Sequence, residues 1–229
     1  MPPQWLETLA WISLGVAFLC AIIILWDIFV AGNRQPMGVM EAVWPITALY
    51  LGPLGLWAYW HWARVGRPEE QDQGEPRPKP FPVKVAIGVS HCGAGCTLGD
   101  IIATWIVFAL GLTIAGLALP YEYVFDFTFA FLLGIVFQFF AIRPMRPEMP
   151  LGQVLKKALK ADTLSLTAFE VGLFGWMAIM QLVLFKNPHL SPEHASYWFL
   201  MQIGMAIGFM TSYPVNIWLI RRGIKETMA

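Results

Sequence analysis

Six apolar runs, each long enough to cross a bilayer as a helix, succeed one another along the chain. A helix needs ~20 predominantly apolar residues to span the hydrocarbon. The runs cover roughly Leu9 to Val30, Met40 to Trp62, Leu98 to Leu119, Tyr121 to Ile142, Leu164 to Phe185 and Tyr197 to Ile220. Pro45 and Pro53 interrupt the second, and Pro214 lies near the end of the sixth. Only Pro120 separates the third from the fourth, which predicts a tight antiparallel hairpin. The pattern predicts an all-α fold, a polytopic membrane bundle of six transmembrane helices. Met1 to Glu7 carries no Lys or Arg, and the run after it exceeds a signal-peptide core of ~7–15 residues. It reads as a span.

Charge orients these spans. Arg64, Arg67, Arg77, Lys79 and Lys84 follow the second span, and Arg143, Arg146, Lys156, Lys157 and Lys160 follow the fourth. Arg221, Arg222 and Lys225 follow the sixth, while Arg34 and Lys186 alone fall on the other side. The positive-inside rule therefore predicts both termini in the cytoplasm. Pro68, Pro76, Pro78, Pro80 and Pro82 stand among charged residues and predict an extended linker. The expected organisation is a two-span module over 1–65, a cytoplasmic linker over 66–84 and a four-span domain over 85–229. Pro150 to Lys160 reads as a short basic surface helix with Leu151, Val154, Leu155 and Leu159 on its apolar side.

Composition supports a membrane setting and excludes others. Hydrophobic residues make up 57% of the chain and charged ones 13%, against ~25% charged in soluble domains. Fifteen basic and fifteen acidic residues cancel, so no basic field for nucleic acid exists. Three cysteines, one of them Cys20 inside an apolar run, make no disulfide framework. The expected partner is the lipid bilayer, with a metal ion and a second copy of the chain as further candidates.

The densest chemistry lies in Ser90-His91-Cys92-Gly93-Ala94-Gly95-Cys96-Thr97-Leu98-Gly99-Asp100. Thr97 and Asp100 fit the N-cap and N3 places of a capping box. On that reading the helix begins after Cys96 and the motif sits at its cytoplasmic mouth. A helix N-terminus favours thiolate, the form that binds metal or attacks disulfides. Gly93 and Gly95 would let His91, Cys92 and Cys96 converge. If the segment is helical instead, Cys92, Cys96 and Asp100 share one face. Two thiolates and an imidazole suit copper or zinc, and a complete site takes Asp100, a residue from another helix or a second chain as a further ligand. The alternatives are a close-packing seam of small residues and thiol redox chemistry.

With Val43-Trp44-Pro45-Ile46-Thr47-Ala48-Leu49-Tyr50 and Met201-Gln202-Ile203-Gly204-Met205, this motif resembles a bacterial membrane-protein family known only as a domain of unknown function. The likeness is clearest over about Val85 to Met228, and the His-Cys-Gly-Ala-Gly-Cys run carries it best. It implies the helix-bundle fold and a bacterial inner-membrane location, and no established activity.

Outside the motif, acids stand out. Asp27, Glu41, Glu122 and Asp126 fall toward span ends, where interfacial solvation suffices. Glu170 falls deeper, and is expected to serve a proton or ion path beside the motif. Met201 and Met205, one turn apart, are core packing or a soft-ligand relay for Cu(I), and Gly204 with Gly208 forms a packing motif. His189 and His194 read as outer-loop residues. The leading expectation is a carrier or binder of a soft metal, copper first, through His91, Cys92, Cys96 and Asp100. A thiol oxidoreductase, a proton-coupled small-solute carrier and a structural subunit of a larger complex are the alternatives.

Overall fold

A computed structural model describes residues 2–64 and 79–227 and is helical almost throughout. Helix α1 is Gln4–Phe29, α2 Met40–Leu51 and α3 Pro53–Ala58, which runs on as a π-helical turn over Tyr59–Ala63. Helix α4 is Phe81–Leu110, α5 Leu119–Met145, and α6 Leu151–Ile179 with a π-helical turn over Met180–Leu184. Helix α7 is Ala195–Arg221. Five of these, α1, α4, α5, α6 and α7, are long and apolar enough to cross a membrane. Their outward faces carry exposed Ile12, Leu19, Ile22, Val136, Val171 and Val183, a surface that suits lipid and not water.

The second apolar run does not cross. Helix α2 enters from one end of the bundle, turns back at Gly52, and α3 returns to the same end. Gly52 takes φ 54° and ψ −127°, a conformation open to glycine, and Pro53 opens α3 where no N–H is required. Helix α3 lies flat on α2: a Cβ at Gly55 would stand 2.9 Å from the Cα of Ala48. Trp44 meets Tyr59 edge-on at 6.0 Å. Asp27 near the end of α1 accepts hydrogen bonds from Tyr59 Oη at 2.7 Å, Asn33 Nδ2 at 2.9 Å and Arg64 Nε at 3.1 Å. Entry and exit of the hairpin are thus pinned to one place. Its tip reaches mid-bundle, where Gly52 and Pro53 share a small cavity with Ser13 and Gln202. Ser13 lies ~14 Å along α1.

This corrects the six-span expectation. Run length registers apolar content and is blind to a reversal of direction at one glycine. The bundle has five long helices and one re-entrant helical hairpin, and the two ends of the described chain lie at opposite ends of it. Near the start, Glu7 accepts hydrogen bonds from the N–H groups of Ala195 and Ser196 at 3.0 and 3.1 Å, capping α7. At the other end of α7, Glu226 pairs with Arg146 at 3.1 Å and with Lys157. We call this second end the basic end. Arg34, which the six-span reading set apart, joins it. Among the described residues Lys186 is the cation left at the far end.

Other boundaries also move. Helix α4 begins at Phe81, so residues 81–84 of the expected 66–84 linker belong to it, and residues 66–78 of that linker lie outside the described residues. The helix stops at Leu110, where Gly111 takes φ 61°, and a turn over 111–118 precedes α5. The expected surface helix near Pro150 is the first part of α6, continuous with the span.

The hairpin makes a direct prediction. With the three native cysteines replaced, single cysteines at Pro36 and His61 are modified by a membrane-impermeant maleimide from the same side, and one at His189 from the other. Modification of Pro36→Cys and His61→Cys from opposite sides would restore the sixth span.

Candidate functional site: a buried row of thiols and carboxyls

Three helices present polar side chains to the bundle axis at the four-residue spacing that aligns one helix face. Helix α4 carries Cys92, Cys96 and Asp100, α5 carries Glu122 and Asp126, and α6 carries Asp162 and Glu170. Cys92 lies beside Asp162, and Cys96 beside Cys92 and Glu170. Asp100 faces Glu170 and Asp126, and Asp126 faces Glu122. The row closes at the far end where Tyr197 Oη donates to Glu122 at 3.2 Å. None of these side chains is more than 2% exposed.

Small residues bring the row together. Gly95 and Gly99 on α4 pack against Gly134 and Ala130 on α5, and a methyl at Gly99 would overlap the Ala130 backbone. Gly93 leaves room for the Tyr50 hydroxyl and the Phe169 ring. On the other side Gly172 of α6 meets the Gly208 backbone of α7. Helices without side-chain bulk between them approach closely, as small-residue motifs in membranes allow.

Partners are scarce along the row. Both carboxyl oxygens of Asp100, Asp126 and Glu170, and one of Glu122, have no hydrogen-bond partner among the described residues. The exception in charge is at the basic end. The chain after α7 turns back at Gly223, φ 65°, and inserts Lys225 between α4 and α6. Its ammonium lies 3.5 Å from Asp162 Oδ1, 3.3 Å from Ser165 Oγ and 3.5 Å from the Gly88 carbonyl. Ser165 also accepts from Asn216 Nδ2 at 2.7 Å. The ammonium is wholly buried, so a base from beyond the last apolar run enters the four-helix region.

The motif residues fall differently from the mouth-of-helix expectation. The whole segment Ser90–Asp100 is interior to α4 and buried apart from partial exposure at Leu98. Cys92 stands ~17 Å and Asp100 ~29 Å from the start of a helix ~45 Å long. Thr97 is therefore no N-cap: its backbone donors and acceptors are already taken by the helix. Gly93 and Gly95 do not bend the chain. Helical geometry sends His91 about 100° away from Cys92, where its ring meets Phe137 edge-on at 6.0 Å. Neither ring nitrogen has a partner. Among the described residues no three His, Cys, Asp or Glu side chains are arranged to hold a metal ion. Cys92 and Cys96 come together, Asp100 continues their line, and His91 stands apart.

Glu170 lies in the row, ~29 Å from the start of α6 and not near its mouth. Met201 and Met205 are buried in the same apolar cluster as Cys92, Cys96 and Phe169. Gly204 and Gly208 do form the α6–α7 contact. Glu122 and Asp126 are core residues, not interfacial ones, and Asp27 is a structural tie. His189 and His194 sit in the loop before α7, His194 Nδ1 at 3.7 Å from Glu7.

A family model described as Domain of unknown function (DUF4396) matches residues 83–225. The chain belongs to that family. The match covers α4 to α7 and so contains the entire row. No curated protein and no solved structure matches the chain.

Two members of the row in this DUF4396 chain escaped sequence reasoning. Asp162 follows Lys156, Lys157 and Lys160 and so reads as part of a solvated basic face. Its spacing of eight from Glu170, the same as Cys92 to Asp100, was the available signal. Lys225 lies beyond the last apolar run, and nothing local shows that the tail folds inward.

Removing one partner of a buried ion pair strands the other charge, at a cost of ~3–5 kcal/mol. Lys225→Met is expected to lower thermal stability in detergent by that order, and Lys225→Met with Asp162→Asn to recover most of it. Additive losses in the double variant would show that the two do not interact. Glu226 gives a pH dependence. A hydrogen bond from Lys157 holds its carboxyl below the usual range, against partial burial, and Arg146 adds to the effect. A lowered native value means stabilisation present above the ordinary carboxyl range and lost as pH falls through the lowered value. Hydrogen exchange of the tail amides should accelerate in that acid window, and Glu226→Gln should exchange fast at all pH.

Proposed function

We propose that the protein is a proton-coupled carrier of the bacterial inner membrane, with its basic end in the cytoplasm. The observation that carries this is the row of buried carboxyls from Asp162 to Glu122, in which Asp100, Asp126 and Glu170 between the two ends have no hydrogen-bond partner among the described residues. A bare carboxylate in hydrocarbon costs at least ~2.5–3.5 kcal/mol, and like charges side by side in a dry core repel. Such a row persists if its members share protons, and a shared proton passes between neighbouring groups. Cys92 and Cys96 bridge Asp162 to Glu170, so the row reaches from the Lys225 plug to Tyr197. Ionisable residues in chains facing a bundle interior are the usual material of proton relays. The orientation rests on Arg34, Arg64, Arg143, Arg146, Arg221 and Arg222 at one end against Lys186 at the other. On this reading the start of α1 faces the periplasm.

The adjacency of Cys92 and Cys96 favours a second reading, a Cu(I) carrier. Soft thiolates select Cu(I), Asp162 and Glu170 stand ready to take the thiol protons, and Met201 and Met205 lie in the same cluster. Asp100, on the same face of α4, would then support the site from outside the thiol pair, and His91, turned toward Phe137, would take no part. Zinc, which takes four ligands in closed sites, fits this pair less well.

A pH step applied to proteoliposomes on a solid-supported membrane separates the readings. Wild type is expected to give a transient charge displacement that Glu170→Gln with Asp126→Asn abolishes and Cys92→Ser with Cys96→Ser retains. No current in wild type, or an undiminished one in the carboxyl double variant, would sink the proton reading. Stoichiometric copper lost only in the thiol double variant, without any pH-step current, would install the metal reading in its place.

A further inference from the structure

The row is not the bundle's entry for a solute, since it is closed at both ends. A cavity of about 400 Å³ lies beside it in the far half, between α1, α4 and α7. That is within the size range of small-molecule pockets. Its wall includes Trp11, Trp105 and Trp198 from three helices, and Glu193 and His194 from the loop before α7. Trp105 and Trp198 stack at 5.7 Å. Trp11 is 67% exposed on the outer surface of the bundle, so the cavity opens sideways toward lipid.

Three features define an occupant. The walls are indole, Leu, Ile and Met, which favour an apolar body that partitions into the bilayer. No Lys or Arg lines the cavity, and its one carboxylate is Glu193. Indole faces attract cations, most strongly where water is excluded. The Thr97 hydroxyl, 1% exposed, lines the cavity without a hydrogen-bond partner. Gln202 is already engaged, accepting from Ser13 at 2.9 Å and donating to the Leu49 carbonyl at 2.6 Å.

We propose that this lateral cavity is the substrate site and that it takes a lipophilic cation. The inference rests on the proton-coupled carrier reading and names its substrate class. Thr97 follows Cys96 directly in α4. Met201 belongs both to the cavity wall and to the cluster around the thiols. A bound cation therefore lies one side chain from the row whose protonation it would be exchanged against. A positive charge here and a full set of charges on the row favour each other, the thermodynamic basis of coupling.

The test uses two ions of like shape and opposite charge, tetraphenylphosphonium and tetraphenylborate. Binding to the wild-type protein in neutral detergent is followed by equilibrium dialysis and tryptophan fluorescence, with no pH gradient. Phosphonium is expected to bind saturably and the borate not. Trp105→Ala with Trp198→Ala should weaken phosphonium about tenfold, the scale of a desolvated cation–π contact. Glu193→Gln, an exposed loop change, should narrow the discrimination between the two ions without loss of fold. Equal binding of both ions, the mark of a plain acyl-chain groove, or phosphonium affinity unmoved by the tryptophan changes, overturns the proposal. A pH-step current without phosphonium binding removes the substrate class and leaves the carrier. Phosphonium binding without any such current removes the carrier, and with it the substrate role of the cavity.

Discussion

A polar group in hydrocarbon finds its partner inside the protein or goes without. Most of this bundle obeys that constraint closely. Gln202 ties α1 to the tip of the re-entrant hairpin. Tyr123 Oη donates to the Phe174 carbonyl at 2.6 Å, and Trp176 Nε1 to the Leu200 carbonyl at 2.8 Å. Gln181 exchanges two hydrogen bonds with the Leu190 backbone. Asp27 has three donors. Against this background Asp100, Asp126 and Glu170 stand out because both oxygens of each carboxyl lack a partner among the described residues, whereas Trp44, Thr47, Tyr50 and Gln138 each leave a single buried atom unpartnered. The three carboxyls fall in one row, along one axis, on α4, α5 and α6.

The close contacts and the row depend on each other. Glycines at 95 and 99 remove the bulk that would separate α4 from α5, and so place Asp100 against Asp126. Cysteine serves similarly, since a thiol is small and behaves as an apolar group in packing. The motif is thus both a seam and a set of reactive groups. These were competing readings of the sequence, and helical geometry makes them compatible: Gly95 and Gly99 face α5 while Cys92, Cys96 and Asp100 face α6 and the axis.

The apolar runs located the five long helices because twenty-residue stretches of Leu, Ile, Phe and Val have few other uses. Direction is a different property. Pro45 looks like a break, yet α2 runs through it, losing one hydrogen bond. Gly52 looks innocuous, yet it reverses the chain. The segment 81–97 was hidden for a related reason: Lys84, Ser90 and His91 dilute its hydropathy, and a helix buried against protein does not need the apolarity of one facing lipid. Of the candidate site, Cys92, Cys96, Asp100 and Glu170 could be read from residue type. Asp162 and Lys225 could not, because their burial follows from a tail that folds back from beyond the last span.

The re-entrant hairpin also settles a matter of parity. Helices α4 to α7, the part the family model matches, make an even number of crossings, so that unit begins and ends at the same end of the bundle. What precedes it adds one crossing, because α2 and α3 together add none. Anything joined ahead of α1 therefore starts from the end of the bundle opposite the one that holds the tail. A single residue, Gly52, decides this: were the chain to run straight through it, both ends would share an address.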